Sequence, residues 1–240
     1  MRRNPVARVL SATAALLAFG AIGLLALSAD GAGEKWAKRF NGPGSFNDYA
    51  NAIAMDGSGN IYVTGESPGT STNRDVATVK YNSAGKQLWV KTHHGPGAYD
   101  DAGTAIAVDA SGNVYVAGYV TSENPGLDFV TIKYSSAGKE LWVQYYDGPV
   151  GGKDVARAIA VDAAGNVYVT GESLGKNTSR DIATVKYDKL GQRRWAKRYN
   201  GPGNGDDAPS GIAVDKAGNV YVSGFSRGSG TGDDYVVLKY

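Results

Sequence analysis

Two series of aspartates carry the groups best able to do chemistry in this chain. Asp48, Asp101, Asp154 and Asp207 recur every 53 residues, and Asp75, Asp128, Asp181 and Asp234 recur at the same step. Carboxylates bind hard cations and move protons, so either series could hold Ca²⁺, the one cofactor the sequence suggests, or serve hydrolysis. If the first series converged on an axis, its four like charges would repel one another unless a cation compensated them. The competing use is local: an Asp in a Gly-rich loop accepts that loop's backbone N–H bonds. A third series, Asp56, Asp109, Asp162 and Asp215, opens "DGSGN", "DASGN", "DAAGN" and "DKAGN". These pentamers lack the alternating oxygen ligands and distal Glu of a calcium loop, and read as hairpin turns. The two histidines, His93 and His94, stand where other units have Phe40-Asn41, Tyr146-Asp147 and Tyr199-Asn200. A His pair can bind a transition metal or act as acid and base. Neighbouring side chains on an extended strand point to opposite faces, however, and there is no Cys to complete a zinc site. No catalytic residue is assigned.

The elements that position these groups follow from the same period. Lys80-Tyr81, Lys133-Tyr134, Lys186-Tyr187 and Lys239-Tyr240 keep the 53-residue step, as do Trp36, Trp89, Trp142 and Trp195. A repeat without slippage at several independent markers is a true tandem array. In the third unit the β-rich segments are 158–162, 166–171, 181–187 and 192–199, separated by turn residues, which predicts four strands per repeat. No segment sustains a 3.6-residue apolar period, so helical repeats are excluded. Continuous apolar runs such as "VYV" imply sheets buried on both faces, as in propeller blades stacked around an axis. Ala52, Ala54, Ala105, Ala107, Ala158, Ala160, Gly211 and Ala213 are the small residues that a crowded innermost strand needs. The Trp and Tyr series is expected to pack blade against blade, and the stems of Lys80, Lys133, Lys186 and Lys239 to lie along the lower rim.

Arg2, Arg3 and Arg8 precede an uncharged Leu-, Ala- and Gly-rich stretch from Val9 to Ala29, which predicts export, with residues 1–28 as a signal peptide or an uncleaved membrane anchor. The expected location is secreted, periplasmic or cell-surface. With no Cys, the exported part must hold together by burial alone. The net charge of +2 belongs to the three Arg of the signal; the remainder is nearly neutral, which argues against a nucleic-acid partner or a charged membrane contact.

The motifs "NGPG…DD", "AIAVDxxGNVYVTG", "DxATVKY" and the Trp strand resemble the SBBP (seven-bladed β-propeller) repeat of bacterial exported proteins, over residues 36–240. The resemblance implies a propeller on an exported protein and brings no catalytic residues with it. The expected fold is all-β: four-stranded antiparallel blades in four 53-residue units, 36–88, 89–141, 142–194 and 195–240, after a linker at 29–35. Four units stand where the family name implies seven. Because strand 36–40 lacks a blade and the last blade lacks its fourth strand, a closed four-bladed ring is the preferred arrangement, with an open arc and an eight-bladed dimer as alternatives. Chain direction places the inter-blade loops and the variable segments 67–74, 120–127, 173–180 and 226–233 on one face, the top, together with the first two Asp series. The expected function is a non-enzymatic binding or cell-surface scaffold whose top face engages a protein or glycan. An axial-site hydrolase or lyase is the alternative.

Overall fold

The computed structural model describes residues 33–44, 46–69, 73–122 and 126–240. The expected signal or anchor at 1–28 and most of the linker lie outside these residues. Among the described residues no helix is long and apolar enough to cross a membrane.

Valine-, tyrosine- and threonine-rich runs form the strands, as β-branched and aromatic side chains suit a pleated surface. Blade 1 comprises β1 (Tyr49–Met55), β2 (Ile61–Pro68), β3 (Arg74–Tyr81) and β4 (Gln87–His93). Blade 2 has β5 (Ala102–Val108), β6 (Val114–Thr121), β7 (Leu127–Tyr134) and β8 (Glu140–Tyr146). Blade 3 has β9 (Asp154–Val161), β10 (Val167–Leu174), β11 (Arg180–Tyr187) and β12 (Arg193–Tyr199). Blade 4 has β13 (Ala208–Val214), β14 (Val220–Arg227) and β15 (Asp233–Lys239), and no fourth strand among the described residues. Each blade is an antiparallel meander in chain order. The inner strands β1, β5, β9 and β13 pack successively on one another, which accounts for their small residues.

The core lies between blades. Tyr62 and Val76 on the back of blade 1 meet Val114, Val116, Val130, Ile132 and Tyr134 on the front of blade 2, all essentially fully buried. Each such side chain stabilises the junction by roughly 1.5–3 kcal/mol. Trp89 stands between Tyr62 and Tyr134, with ring centroids 6.0 and 6.1 Å away. Trp142 and Trp195 repeat this wedge at the next two junctions. The indole N–H of Trp89 donates to the Ser136 carbonyl of the next blade (3.2 Å), and so does the Lys80 ammonium (3.0 Å), which also lies 5.0 Å from the Tyr62 ring. The Lys133–Trp142 pair takes the Lys189 carbonyl in the same way. The turn glycine under Trp36, Trp89 and Trp142 is obligatory: at Gly138 (φ 80°) a Cβ would stand 3.0 Å from the Trp89 ring.

The ring is not closed, and the preferred four-bladed closure is corrected. Trp36 sits on blade 1, its indole N–H 3.2 Å from the Ser83 carbonyl and its ring 6.4 Å from Tyr81. Residues 36–40 form no strand, and among the described residues blade 4 packs on blade 3, through β13 against β9, β10 and β11. The Trp wedge fixes residues 36–38 to blade 1, and β15 does not reach that segment.

Candidate binding face at the blade junctions

The first two Asp series do lie at one end of the blades. Each inter-blade connection brings an outer Asp, a residue after the fourth strand and the next inner Asp into one cluster. At the first junction these are Asp75, His94 and Asp101; at the second, Asp128, Asp147 and Asp154; ligand atoms within each group lie within 4.8 Å of one another. The corresponding residues at the third junction are Asp181, Asn200 and Asp207. Asp48 precedes blade 1 and Asp234 lies on β15, so neither has its counterpart from an adjoining blade. The structure thus joins an inner to an outer carboxylate across the first two junctions.

The inner aspartates staple their own loops. Asp101, fully buried, accepts the Gly95 N–H (2.6 Å) and the Thr121 N–H (2.8 Å). Asp207 accepts the N–H groups of Gly201 (2.7 Å) and Arg227 (3.1 Å), Asp154 that of Gly148 (2.8 Å), and Asp48 that of Gly42 (3.2 Å). The glycine that opens each "GPG"-type loop permits this approach, since a Cβ on Gly201 would fall 1.9 Å from Ser226 Oγ and 2.7 Å from Asp207 Oδ1. At Asp154 the second oxygen, Oδ1, accepts no hydrogen bond of good geometry, although the Ser173 hydroxyl lies beside it.

Charge is balanced differently at each junction. His94 Nδ1 lies 2.8 Å from Asp75 Oδ1 and 3.9 Å from Asp101 Oδ2, while His93 points away to the Tyr145 hydroxyl (2.9 Å) and Glu140 (3.7 Å), as strand alternation requires. At the third junction Arg198 holds Asp181 at 2.8 Å. The second junction has three carboxylates: burial, reinforced by Asp147 and Asp154, pushes Asp128 up to about 6. Burial likewise raises Asp101 and Asp154, and lowers His93.

Sequence reasoning missed two parts of this face. Arg74, Glu66 and Asp100 form a loose ion cluster, and Arg180, Glu172 and Asp206 form a tighter one with Arg157. Their signal was present as identical residues two units apart. The other part is a bulge in each inner strand, between Ala50 and Ala52, Gly103 and Ala105, and their equivalents. The bulged Asn51 and Thr104 donate to the Gly103 and Ala156 carbonyls of the following blade, and no local pattern marked them.

At the opposite end, Asp56 accepts bonds from the N–H of Ser58 and Asn60, the Asn60 amide and the Tyr62 hydroxyl, all at 2.8–2.9 Å. Asp109, Asp162 and Asp215 repeat the set. These are turns, as the pentamers predict.

Residues 35–71, 141–177 and 194–230 match the β-propeller repeat designated SBBP. Three of the four units thus match the SBBP repeat. The unit containing His93 and His94 lies between the matched SBBP segments. No match was found among curated proteins. Solved structures similar to this chain include a protein of unknown function from Dyadobacter fermentans, 10% identical, with a TM-score of 0.48. That alignment covers 78% of this chain and 59% of the other. Another is an α-L-arabinofuranosidase from Clostridium thermocellum, 12% identical, with a TM-score of 0.42, covering 80% and 68%. This chain therefore spans less than two thirds of the first, and the likeness carries no functional inference.

Proposed function

We propose that this chain is a non-enzymatic binding scaffold, exported to the periplasm or cell surface, whose top-face loops engage a protein or glycan. The observation that carries the reading is that one backbone frame, held by the inner aspartates, presents a different residue at each junction: His94, Asp147 and Asn200. A fixed frame with variable tips suits recognition, whereas catalysis calls for acid, base and nucleophile converging on one substrate. Grafting a different loop between β10 and β11 should change binding on a glycan and peptide array while leaving the melting temperature within a few degrees.

One observation favours an enzyme instead: the His94–Asp75 contact at 2.8 Å beside buried Asp101 has the form of a general acid–base pair. Cleavage of a glycan or peptide by the purified protein, lost in His94→Ala, would replace the scaffold reading with this one.

The ligand set includes a hard cation at Asp128, Asp147 and Asp154, where three carboxylates meet and Asp154 has oxygen capacity to spare. At 100 times its dissociation constant, Ca²⁺ would add about 2.7 kcal/mol to the folded state. Melting in EDTA and in millimolar Ca²⁺ should show a rise that Asp128→Asn with Asp154→Asn abolishes. An unresponsive parent removes the cation from the reading.

A further inference from the structure

We propose that the two ends of the arc are halves of one junction, and that a second copy of this chain joins them head to tail, residues 36–40 of one copy becoming the fourth strand of blade 4 in the other. The argument begins with an unpaired segment already in its seat. Trp36 occupies on blade 1 the position that Trp89 occupies on blade 2, with the same indole bond to a turn carbonyl (3.2 Å in both) and the same closeness to a turn glycine, Gly85 or Gly138. The Lys38 side chain lies by Gly85 as Lys91 lies by Gly138. Residues 36–40 therefore lie where the fourth strand of a preceding blade belongs, yet among the described residues their backbone pairs with no strand.

The other end has the reciprocal defect. Among the described residues the outer edge of β15 pairs with no strand, and the back of blade 4 exposes the positions that earlier blades bury. Tyr235 is fully exposed, where Val76, Phe129 and Ile182 are fully buried; Val237 is 72% exposed, where Thr78, Thr131 and Thr184 are fully buried. On the front of blade 1, Ile53 is 70% exposed, and a trough of about 290 Å³ runs past Trp36, Val63 and Tyr81.

One hydrogen-bond vacancy makes the fit specific. The turn carbonyls of Ser136 and Lys189 each accept two donors, a Lys and a Trp of the preceding blade. Among the described residues Ser83 accepts Trp36 alone. The absent donor corresponds to Lys239, whose ammonium lies 5.4 Å from the Tyr221 ring, in the pose that Lys80 takes over Tyr62. The partner is thus identified by chemistry that the chain already uses twice within itself. A head-to-tail contact of this kind closes into a ring or continues as a filament, and either keeps the same junction.

The pairing of β3 with β4 sets the register. Val76 faces His93 and Thr78 faces Lys91, so Tyr235 should face Phe40 and Val237 should face Lys38. The chain has no Cys, so introduced thiols report cleanly. Two differently tagged full-length copies, one Lys38→Cys and one Val237→Cys, would be co-expressed, oxidised and run on a non-reducing gel. The expected result is a covalent heterodimer, at least about five-fold more abundant than with Arg39→Cys, whose side chain points to the other face. Adding Trp36→Ala to the Lys38→Cys copy should deplete it. No heterodimer, equal yields from positions 38 and 39, or an internal disulfide alone when one copy carries both Lys38→Cys and Val237→Cys would overturn the proposal.

Discussion

The two ends of each blade spend their aspartates in opposite ways. At the bottom, Asp56 and its three equivalents are satisfied within six residues of themselves, and every unit repeats the solution. At the top, Asp101 reaches Thr121 across its blade and meets Asp75 and His94 from the preceding one, and each junction answers its charge with a different neighbour. The bottom is a local device copied four times. The top is a tertiary assembly whose parts come from two blades, which leaves it open to variation.

Substitutions at the two ends should separate these behaviours. The largest effect is expected from Asp101→Ala, which strands two buried N–H groups and should cost about 2–4 kcal/mol in urea unfolding. A loss under 1 kcal/mol would mean that water replaces the carboxylate there. At the bottom, Asp109→Ala should cost about 1–2 kcal/mol, and Asp162→Ala should match it within about 0.5 kcal/mol if the device is local. These turn carboxylates also set an acid limit. Burial alone would raise Asp56, but its bonds to Asn60, Tyr62 and Ser58 prevail and hold it at about 2, below its ordinary 3.8. Stability from such a depressed group is complete above pH 4 and is lost as pH falls towards 2, which thermal melts across that window can follow. The smallest effect has the opposite sign. Asp128, raised to about 6, penalises the folded state at neutral pH, and the penalty disappears as pH falls from 6 towards 4. Asp128→Asn should therefore stabilise the protein by roughly 1 kcal/mol at pH 7.5 in EDTA, and by almost nothing at pH 4.

The same contrast explains how far the sequence could be read. The pentamers announced the hairpins because every partner of Asp56 lies within the next six residues. The strands were legible for a similar reason, with 181–187 expected where β11 runs Arg180–Tyr187. β9 and β10 each extend three or four residues beyond the expected segments, past a bulge opposite Thr170 and Gly171 that leaves no mark on local pattern. The pairing of Asp75 with Asp101 was hidden because it depends on how adjacent blades stack. Closure was misread for a related cause: complementary strand counts at the two ends say what could pair, while the turn of each junction decides whether the ends meet.

The placement of Trp and Lys on one blade and of the accepting carbonyl on the next gives the first two junctions a direction. A turn such as Ser135–Gly138 serves only the blade before it, so damage there loosens one neighbour and spares the other. It also makes copy number a free variable for duplication: cutting or inserting one 53-residue block between any two Trp residues leaves each plug facing an intact socket. Arrays of other lengths need no new interface chemistry, and a designer could lengthen this one by pasting residues 89–141 in a second time.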